Sequence, residues 1–352
     1  MADPNIRRPV RGDVTIAEVG ERGLLEVLAP FVGMPGGEII EGFGDDAAVV
    51  AYSNSSKQVE VLTTDMLVEG THFLNTRHTD WEQVGRKAVT ANISDMAAMG
   101  ASPKFMLISI GIPASFTVGD LRSLYSGMAN EARRYQAVLV GGDTVRSPVL
   151  VVNIALTGIK PCNEPLPLRS RCRTGQTVYV SGELGGCRAG LELLTDPSME
   201  EMRRFPYTED LLIRHKSPQP RLELGRALTS QFSDLAMIDI SDSLYNELHL
   251  LARASGVEIE VRVDQVPVMP EVVQFAHARG RDPHQYALSS GEEYELLFAT
   301  AAPPDKVRKV MWEKKTDLPI TPIGRVCAGH GVRLLGRDGA KLTVSDQTFQ
   351  HF

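Results

Sequence analysis

The chain has 352 residues, of which 43% are hydrophobic, so it can bury a large core, and its length favours two domains. Its formal net charge is −7 and it contains no block of Lys and Arg interleaved with aromatic residues, which argues against nucleic acid or an anionic membrane as a partner. No apolar run approaches the roughly 18 residues that span a bilayer, so we expect a soluble cytoplasmic protein.

The first half of the chain alternates between strand-like and helix-like segments. A Thr15/Glu18 capping box opens a predicted helix. Runs rich in β-branched residues and bounded by Gly, Pro or Asp then predict strands at 47–52, 59–65, 105–112, 137–143 and 149–159. Two long helical patterns lie between these runs. We therefore predict a mixed α/β domain over residues 1–160.

A proline-containing connector, "KPCNEPLPLRSRCRTGQ", separates this domain from a second one, which we place at residues 161–352. The second domain opens with a strand, a Gly-rich loop and a helix in "TVYVSGELGGCRAGLELL" and continues with strands separated by helices. The polar stretch from Asp196 to Gln219 is interpreted as a surface excursion. The predicted fold class is α/β (α+β), with two domains of mixed sheets flanked by helices.

The cysteines give no sign of a metal site or a disulfide framework. The sequence contains four cysteines, none in CxxC spacing and none with a His partner at zinc-finger distance. We interpret them as reduced thiols of a cytosolic protein and expect them to be buried as small hydrophobic side chains.

Aspartates recur where apolar segments meet Gly, Ser or Thr. Each such junction alone is typical of an ordinary turn, because Gly and Asp are common turn residues. Five of them in one chain favour a shared site, and the residues concerned are Asp45, Asp65, Asp95, Asp143 and Asp239. Asp242 in "DISDSL" is explained at least as well by capping the helix that follows.

The segment "DWEQVGRKAVTANISDMAAMGA" predicts a helix from Asp80. On it Ala88, Ala91, Asp95 and Ala98 share one face, because they follow at steps of three, four and three residues. Small side chains around one aspartate suit the close approach of a ligand or another backbone. A tight contact between helix and sheet, with Asp95 at its solvated rim, explains the pattern equally well.

If the five aspartates converge, their mutual repulsion requires cations or large pKa shifts. All-oxygen ligands without clustered His or Cys favour Mg²⁺, and no twelve-residue calcium loop is present. The sequence lacks both G-x-x-x-x-G-K-[ST] and the protein-kinase motifs, and its Gly-rich loop at 182–190 lacks the P-loop lysine. The residues therefore predict a Mg²⁺-dependent site for a phosphorylated ligand, without settling its identity.

An ordered set of motifs resembles the thiamine-monophosphate kinase family, within the aminoimidazole ribonucleotide synthetase-like ATP-binding superfamily. The set is "GFGDDAAV", "TTDMLVEGTHF", "NISDMAAMGASP", "VGGDTV", "DISDSL" and "SSGEEYELLF", and it covers nearly the whole chain from about Ile16. The resemblance implies the two-domain superfamily fold, transfer of the γ-phosphoryl group of ATP to thiamine monophosphate, several Mg²⁺ ions and a homodimer formed by the N-terminal domains.

The resemblance also implies roles for individual residues. The positions that match the metal ligands of the family are Asp45, Thr63, Thr64, Asp65, Asp95, Asp143, Asp239 and Asp242. The positions that match its nucleotide contacts are Tyr125, Gly142, Asp143, Arg169 and Ser241. Those that match its contacts with thiamine monophosphate are His72, Glu292 and Phe349. A structural histidine and simple C-terminal packing are the plainer explanations of His72 and Phe349.

Two departures from the family pattern bear on these assignments. Ser243 and Ser290 stand where the family has glycines, and if either position needs a positive φ, the loops that carry Asp242 and Glu292 must shift. Glu293 in place of Asp is a milder change.

Other members of the superfamily and a catalytically silent regulator that binds Mg²⁺ and nucleotide remain as alternatives. Selenophosphate synthetase and the hydrogenase-maturation protein are disfavoured, since no Cys precedes Cys162 and the chain ends "QHF".

For the reaction we expect direct in-line transfer in a ternary complex. A covalent route needs a nucleophile beside an activating base, which neither the cysteines nor the histidines suggest. The acceptor phosphate is already an anion near neutral pH and needs no general base. We therefore assign no catalytic side chain and expect positioning and metal electrostatics to supply the catalysis.

Overall fold

The computed structural model describes residues 36–42, 44–51, 57–76, 79–200, 202–313 and 317–342. The predicted helix after Thr15 and the predicted substrate contact Phe349 lie outside these residues. Within them, none of the helices has both the length and the apolar content to cross a bilayer.

The first sheet has six strands in the spatial order β1-β2-β3-β6-β4-β5. Neighbouring strands are antiparallel except β4 and β5, which are parallel. In chain order the strands are β1 (Ile39–Glu41), β2 (Ala48–Val50), β3 (Gln58–Val68), β4 (Ser102–Ile112), β5 (Val138–Arg146) and β6 (Val151–Pro161). The five strands predicted here are confirmed, although β5 continues three residues past its predicted end at Asp143.

Helices α1 (Trp81–Ala98) and α2 (Val118–Arg134) pack against one face of this sheet. Asp80 caps α1 by accepting the amide hydrogens of Glu82 and Gln83, as its position before the helical pattern predicts. The two helices approach closely because glycines face backbone carbonyls at their contact. A Cβ on Gly127 would overlap the carbonyl of Glu82.

The second sheet has seven strands in the order β13-β12-β9-β11-β7-β10-β8. Its neighbours are antiparallel except β9 and β12. The strands are β7 (Thr177–Ser181), β8 (Ala236–Asp239), β9 (Glu258–Arg262), β10 (Leu296–Thr300), β11 (Ile320–Cys327), β12 (Gly331–Leu335) and β13 (Lys341–Leu342).

Both faces of the second sheet are covered, which explains why β10 is buried along its whole length. On one face Val178, Val180 and Leu297 pack against α6 (Leu244–Ser255). On the other face Tyr179 and Phe298 join the core cluster that contains α1 and the first sheet. Helices α5 (Leu222–Gln231) and α9 (Pro304–Glu313) complete that cluster. The mixed α/β fold predicted from the sequence is confirmed.

The stretch from Asp196 to Gln219 is not a simple surface excursion, and that prediction was wrong. It contains α4 (Tyr207–Lys216), which packs with α3 (Gly186–Thr195), α7 (Pro270–Ala278) and α8 (Pro283–Ser289) in a third apolar cluster. Leu211 is fully buried and His215 is 8% exposed. The polar residues between the apolar positions of α4 concealed its helical pattern.

Two of the four cysteines, Cys172 and Cys187, are buried, Cys327 is half-buried and Cys162 is exposed. All four are free thiols, as predicted, but the predicted burial is confirmed only for Cys172 and Cys187.

The close contact of α1 with α2 gives a stability prediction. Because a Cβ on Gly127 would overlap a carbonyl oxygen of α1, Gly127→Ala should lower the free energy of unfolding by about 1–3 kcal/mol, measured by urea denaturation. Gly119→Ala in the same helix is the matched control, since its Cβ would lie 3.6 Å from the nearest side-chain atom. It should change stability by less than about 1 kcal/mol and in the stabilising direction. Equal effects of the two variants would contradict this account.

Candidate functional site

Three carboxylates from three elements meet between the two sheets. Asp46 lies in the turn before β2, Asp95 on α1 and Asp239 at the end of β8. One oxygen from each lies within 4.8 Å of the other two. Because the elements come from both halves of the chain, the cluster exists only when the two halves are packed together.

Hydroxyl groups and one arginine hold these carboxylates in place. The Thr63 hydroxyl donates to Asp95 Oδ2. The Ser94 hydroxyl donates to Asp239 Oδ2 at 2.5 Å, which joins α1 to the second sheet. The guanidinium of Arg169 contacts Asp46 through Nη2 at 2.6 Å and through Nε at 3.3 Å. Arg169 is therefore the nearest cation to the cluster among the contacts described.

Asp45 and Asp65 adjoin the cluster. Asp45 Oδ2 accepts the backbone amide hydrogen of Arg169 at 3.0 Å, and Asp65 hydrogen-bonds Asp95. Burial, together with the charge of Asp46, raises the pKa of Asp45 to about 7. Burial likewise raises the pKa of Asp65 to about 6. These carboxyl groups resist ionisation unless a cation binds beside them.

Asp95 and Asp239 show the same behaviour more strongly. Burial raises the pKa of both carboxyl groups well above the ordinary value, and neighbouring aspartates raise it further. A group of carboxylates with raised pKa values and all-oxygen donors suits a hard divalent cation.

A cavity of about 980 Å³ opens beside the cluster. Asp65, Asp95 and Asp239 line one part of it, and Lys87, His215 and Glu292 line another. Lys87 and Asp95 are eight residues apart on α1, which separates them by roughly 12 Å along the helix axis. The cavity therefore has one strongly acidic end and one mixed polar end.

The segment that carries Glu292 has an unusual backbone. Glu292 and Tyr294 have φ values of 57° and 51°, which are uncommon for residues other than glycine. Gly291 packs so closely on the carbonyl of Asp242 that a Cβ would lie 2.7 Å from its oxygen. The Glu292 side chain pairs with Lys87, whose Nζ lies 2.5 Å from Oε2. The segment thus presents Glu292 to the cavity in a strained conformation.

Buried ion pairs stabilise the segment that carries Glu292. Arg214 contacts Glu293 at 3.1 Å and Glu295 at 2.7 Å, and Arg221 also pairs with Glu295. Both glutamates are fully buried, so these arginines are needed to compensate their charges. Glu293 retains the acidic function that the family pattern places here as Asp.

His72 lines the same cavity, and its Nδ1 accepts the amide hydrogen of Val68 at 3.0 Å. This hydrogen bond is the contact expected of a structural histidine. Its position in the cavity also leaves it available to a substrate.

The two departures from the family glycines are accommodated. Ser243 has φ of 177° and Ser290 has φ of −77°, so neither position requires glycine. The Ser243 hydroxyl caps α6 by accepting the amide hydrogen of Asn246. Ser243 therefore takes the capping role that the sequence offered to Asp242, which instead lines the cavity with Ser241.

Several predicted site residues lie apart from the cluster. Thr64 is exposed, and its hydroxyl bonds Asn153, because successive residues of a strand point to opposite faces. Asp143 is exposed within β5 and pairs in register with Ser109. Gly142 precedes it, and a Cβ there would overlap the carbonyl of Ile108. Tyr125 is half-buried on α2 and packs on the first core cluster.

Sequence reasoning missed three residues of the site. Asp46 is the second member of the quoted pair at 45–46, yet only the first was selected. Lys87 precedes Ala91 and Asp95 at steps of four residues on the cavity face of α1, a spacing that identifies it. His215 lies in the stretch interpreted as a surface excursion, so no sequence signal distinguished it.

Family models match both halves of the chain. The model described as AIR synthase related protein, N-terminal domain, matches residues 44–160, and the model for the C-terminal domain matches residues 173–337.

Curated relatives match along most of their length. The chain is 35% identical to thiamine-monophosphate kinase of Aquifex aeolicus, over 96% of this chain and 99% of that protein. It is 34% identical to the Bacillus subtilis protein of the same name, over 88% and 93%.

Solved structures agree with this assignment. One described as AaThiL complexed with AMPPCP and TMP has a TM-score of 0.82 and 33% identity, and covers 97% of this chain and all of that one. The Escherichia coli hydrogenase maturation protein HypE has a TM-score of 0.64 at 23% identity over 81% and 85%, which shows a common fold alone.

Proposed function

The chain belongs to the AIR synthase-related family and, within it, to the thiamine-monophosphate kinases, and we propose that it transfers the γ-phosphoryl group of ATP to thiamine monophosphate, giving thiamine diphosphate and ADP. The observation that carries this proposal is the carboxylate cluster beside a large cavity, in a chain similar to AaThiL complexed with AMPPCP and TMP. AMPPCP is an analogue of ATP, and that complex therefore holds both substrate types at once.

Several Mg²⁺ ions are part of the proposal. The oxygens of Asp46, Asp95 and Asp239 are close enough to share a cation, and buried acids with raised pKa values are the donors such an ion would stabilise. Asp45, Thr63 and Asp65 adjoin them and Asp242 lines the same cavity, and we propose all four as further ligands. Bound Mg²⁺ would neutralise the charge of the phosphates.

The residues of the chain would hold the two substrates in place for direct transfer. The acidic end of the cavity fits the phosphate of the acceptor once cations are bound, and Arg169 supplies a fixed positive charge beside Asp46. His72 and Glu292 would contact the organic part of the acceptor, and Ser241 the nucleotide. In this arrangement positioning supplies the catalysis, because the acceptor phosphate is already an anion.

A homodimer is also part of the proposal. The face of the first sheet opposite α1 and α2 carries exposed apolar side chains, namely Met66, Phe105, Leu107, Val138 and Val145. An apolar patch of this kind marks an interaction surface. Thr64 and Asp143 lie on the same face, since Asp143 pairs with exposed Ser109 in the sheet. Pairing of two such faces would place these two predicted ligands, and Gly142, at the seam between subunits.

Tyr125 is also proposed as a nucleotide contact. The proposed location of the protein is the cytoplasm, where ATP is abundant. The domain assignments 1–160 and 161–352 are part of the same proposal. They assign dimer formation to the first sheet and completion of the substrate site to the second.

The function is tested by assaying ADP formation with ATP and Mg²⁺, with and without thiamine monophosphate. Asp95→Asn should lower kcat/KM at least about 100-fold, because it removes a ligand charge at the site of transfer. Its thermal stability without metal should not fall, since the change replaces a carboxyl group whose charged form is disfavoured by burial and by neighbouring aspartates.

Asp305→Asn is the control for the charge change, because the Asp305 side chain is 98% exposed. It should keep full activity. Wild-type protein that hydrolyses or transfers nothing in the presence of thiamine monophosphate, or Asp95→Asn with near-normal turnover at saturating Mg²⁺, would refute the proposed function.

Direct transfer predicts the stereochemistry of the product. ATP made chiral at the γ-phosphorus should give thiamine diphosphate with inverted configuration, because one in-line displacement inverts the centre. Retention, or a phosphorylated protein trapped with ATP alone, would instead establish a covalent intermediate.

The dimer is tested by charging its proposed surface. Phe105→Asp should convert the protein from dimer to monomer at micromolar concentration in sedimentation experiments, because it buries a charge in an apolar interface. Val118→Asp is the matched control, as Val118 is 68% exposed on α2, away from that sheet face. A fully active wild-type monomer at that concentration would contradict the proposal.

A further inference from the structure

His215 is buried against the mixed polar end of the cavity and has an unsatisfied ring nitrogen. The residue is 8% exposed, and its Nδ1 is buried without a hydrogen-bond partner among the described residues. Buried polar atoms normally have a partner, so each exception requires an explanation. The position of His215 in the wall of the cavity suggests that the partner is a ligand.

A neutral ring leaves Nδ1 able to accept a hydrogen bond. Burial, and then the charge of Lys87, lowers the pKa of His215 to about 4, so the ring is neutral near pH 7. The backbone of Cys187 acts in the opposite direction and raises this pKa, but less than burial lowers it. A neutral imidazole carries one N–H, and in the tautomer with that hydrogen on Nε2, the buried and unpartnered Nδ1 is an acceptor. Nδ1 then presents a lone pair.

A second acceptor stands beside this lone pair. Glu292 Oε2 lies 3.9 Å from His215 Nδ1, too far for a hydrogen bond between them. The ammonium group of Lys87 is directed elsewhere, because its Nζ contacts Glu292 at 2.5 Å and the carbonyl of His72 at 3.2 Å. Two acceptors therefore face the same part of the cavity from different elements, α4 and the segment after α8.

Two neighbouring acceptors are complementary to a primary amino group, which has two hydrogens to donate. Thiamine monophosphate has one such group, the amine on its pyrimidine ring, and its thiazolium ring offers no N–H. Its phosphate is an acceptor and would lie at the acidic end of the cavity. The chemistry of the two ends of the cavity thus matches the chemistry of the two ends of this substrate.

We propose that His215 Nδ1 is a specificity-determining contact that accepts a hydrogen bond from the pyrimidine amino group of the acceptor, with Glu292 accepting the second hydrogen. This inference rests on the proposed function, which it deepens by assigning an orientation to the substrate. His215 selects acceptors that carry a donor at this position, and it leaves the phosphoryl-transfer step unchanged.

The test compares thiamine monophosphate with an analogue in which hydrogen replaces the pyrimidine amino group. With the wild-type protein, kcat/KM should be about 10- to 100-fold lower for the analogue, because buried acceptors are left unpaired. His215→Leu should lose a similar factor with the natural acceptor and should differ from wild type by less than about 3-fold with the analogue. His215→Asn, which keeps an acceptor near the position of Nδ1, should recover part of the lost discrimination.

Leu191→Ala is the matched control, because Leu191 lines the same cavity without offering a hydrogen bond. It should change kcat/KM by the same factor for both acceptors. If His215→Leu also affects both acceptors equally, or leaves the natural acceptor unaffected, the proposed contact is wrong. Melting temperatures of all variants separate loss of the contact from loss of the fold.

Calorimetric binding of the two acceptors to the same variants separates this inference from the proposed function. Tight binding of thiamine monophosphate that depends on His215, without phosphoryl transfer, would support the contact and overturn only the kinase activity. Absence of binding by the wild-type protein would overturn both.

Discussion

The structure depends on holding several buried carboxylates close together. Two unit charges at the separation of Asp46, Asp95 and Asp239 repel each other by roughly 3 kcal/mol at the effective dielectric constant of a protein, and burial adds a desolvation penalty. The arrangement persists because the surrounding core overrides this repulsion. Proton uptake relieves it in part, as the raised pKa values indicate, and a divalent cation relieves it more fully. The raised pKa values thus favour the cation binding that we propose.

Helix α1 connects the carboxylate cluster to both halves of the chain. It lies in the core cluster shared by both sheets. Two adjacent residues on it form hydrogen bonds with different sheets. Asp95 joins the carboxylate cluster and receives the Thr63 hydroxyl of the first sheet, whereas Ser94 donates to Asp239 of the second. A helix with bulkier side chains on this face would hold the sheets apart. The alanines around Asp95 are best explained by this packing together with access to the cavity, so the two interpretations of that stripe are compatible.

The sequence predicted local features better than relationships between distant segments. Five of the six strands of the first sheet were predictable because β-branched runs end at Gly, Pro or Asp, whereas the short strand β1 was missed. Asp80 was recognisable as the start of α1. The convergence of Asp95 and Asp239 was predictable only as a hypothesis, since they are separated by 143 intervening residues whose fold brings them together. His215 was missed for a physical reason. Its burial comes from tertiary packing of α3, α4, α7 and α8, and the polar residues around it hide the helical period.

The resemblance to a known family implies roles for residues that lie apart from one another within a single chain. Thr64 and Asp143 lie on the open face of the first sheet, whereas Thr63 and Asp65 face the cluster, because side chains alternate along β3. If a second chain covers the open face, the alternation of side chains along β3 directs its residues to two different sites. Residues of one strand then serve the cluster within their own subunit and the seam between subunits. The exposed apolar face and part of the buried acidic cluster are thus carried by the same strands.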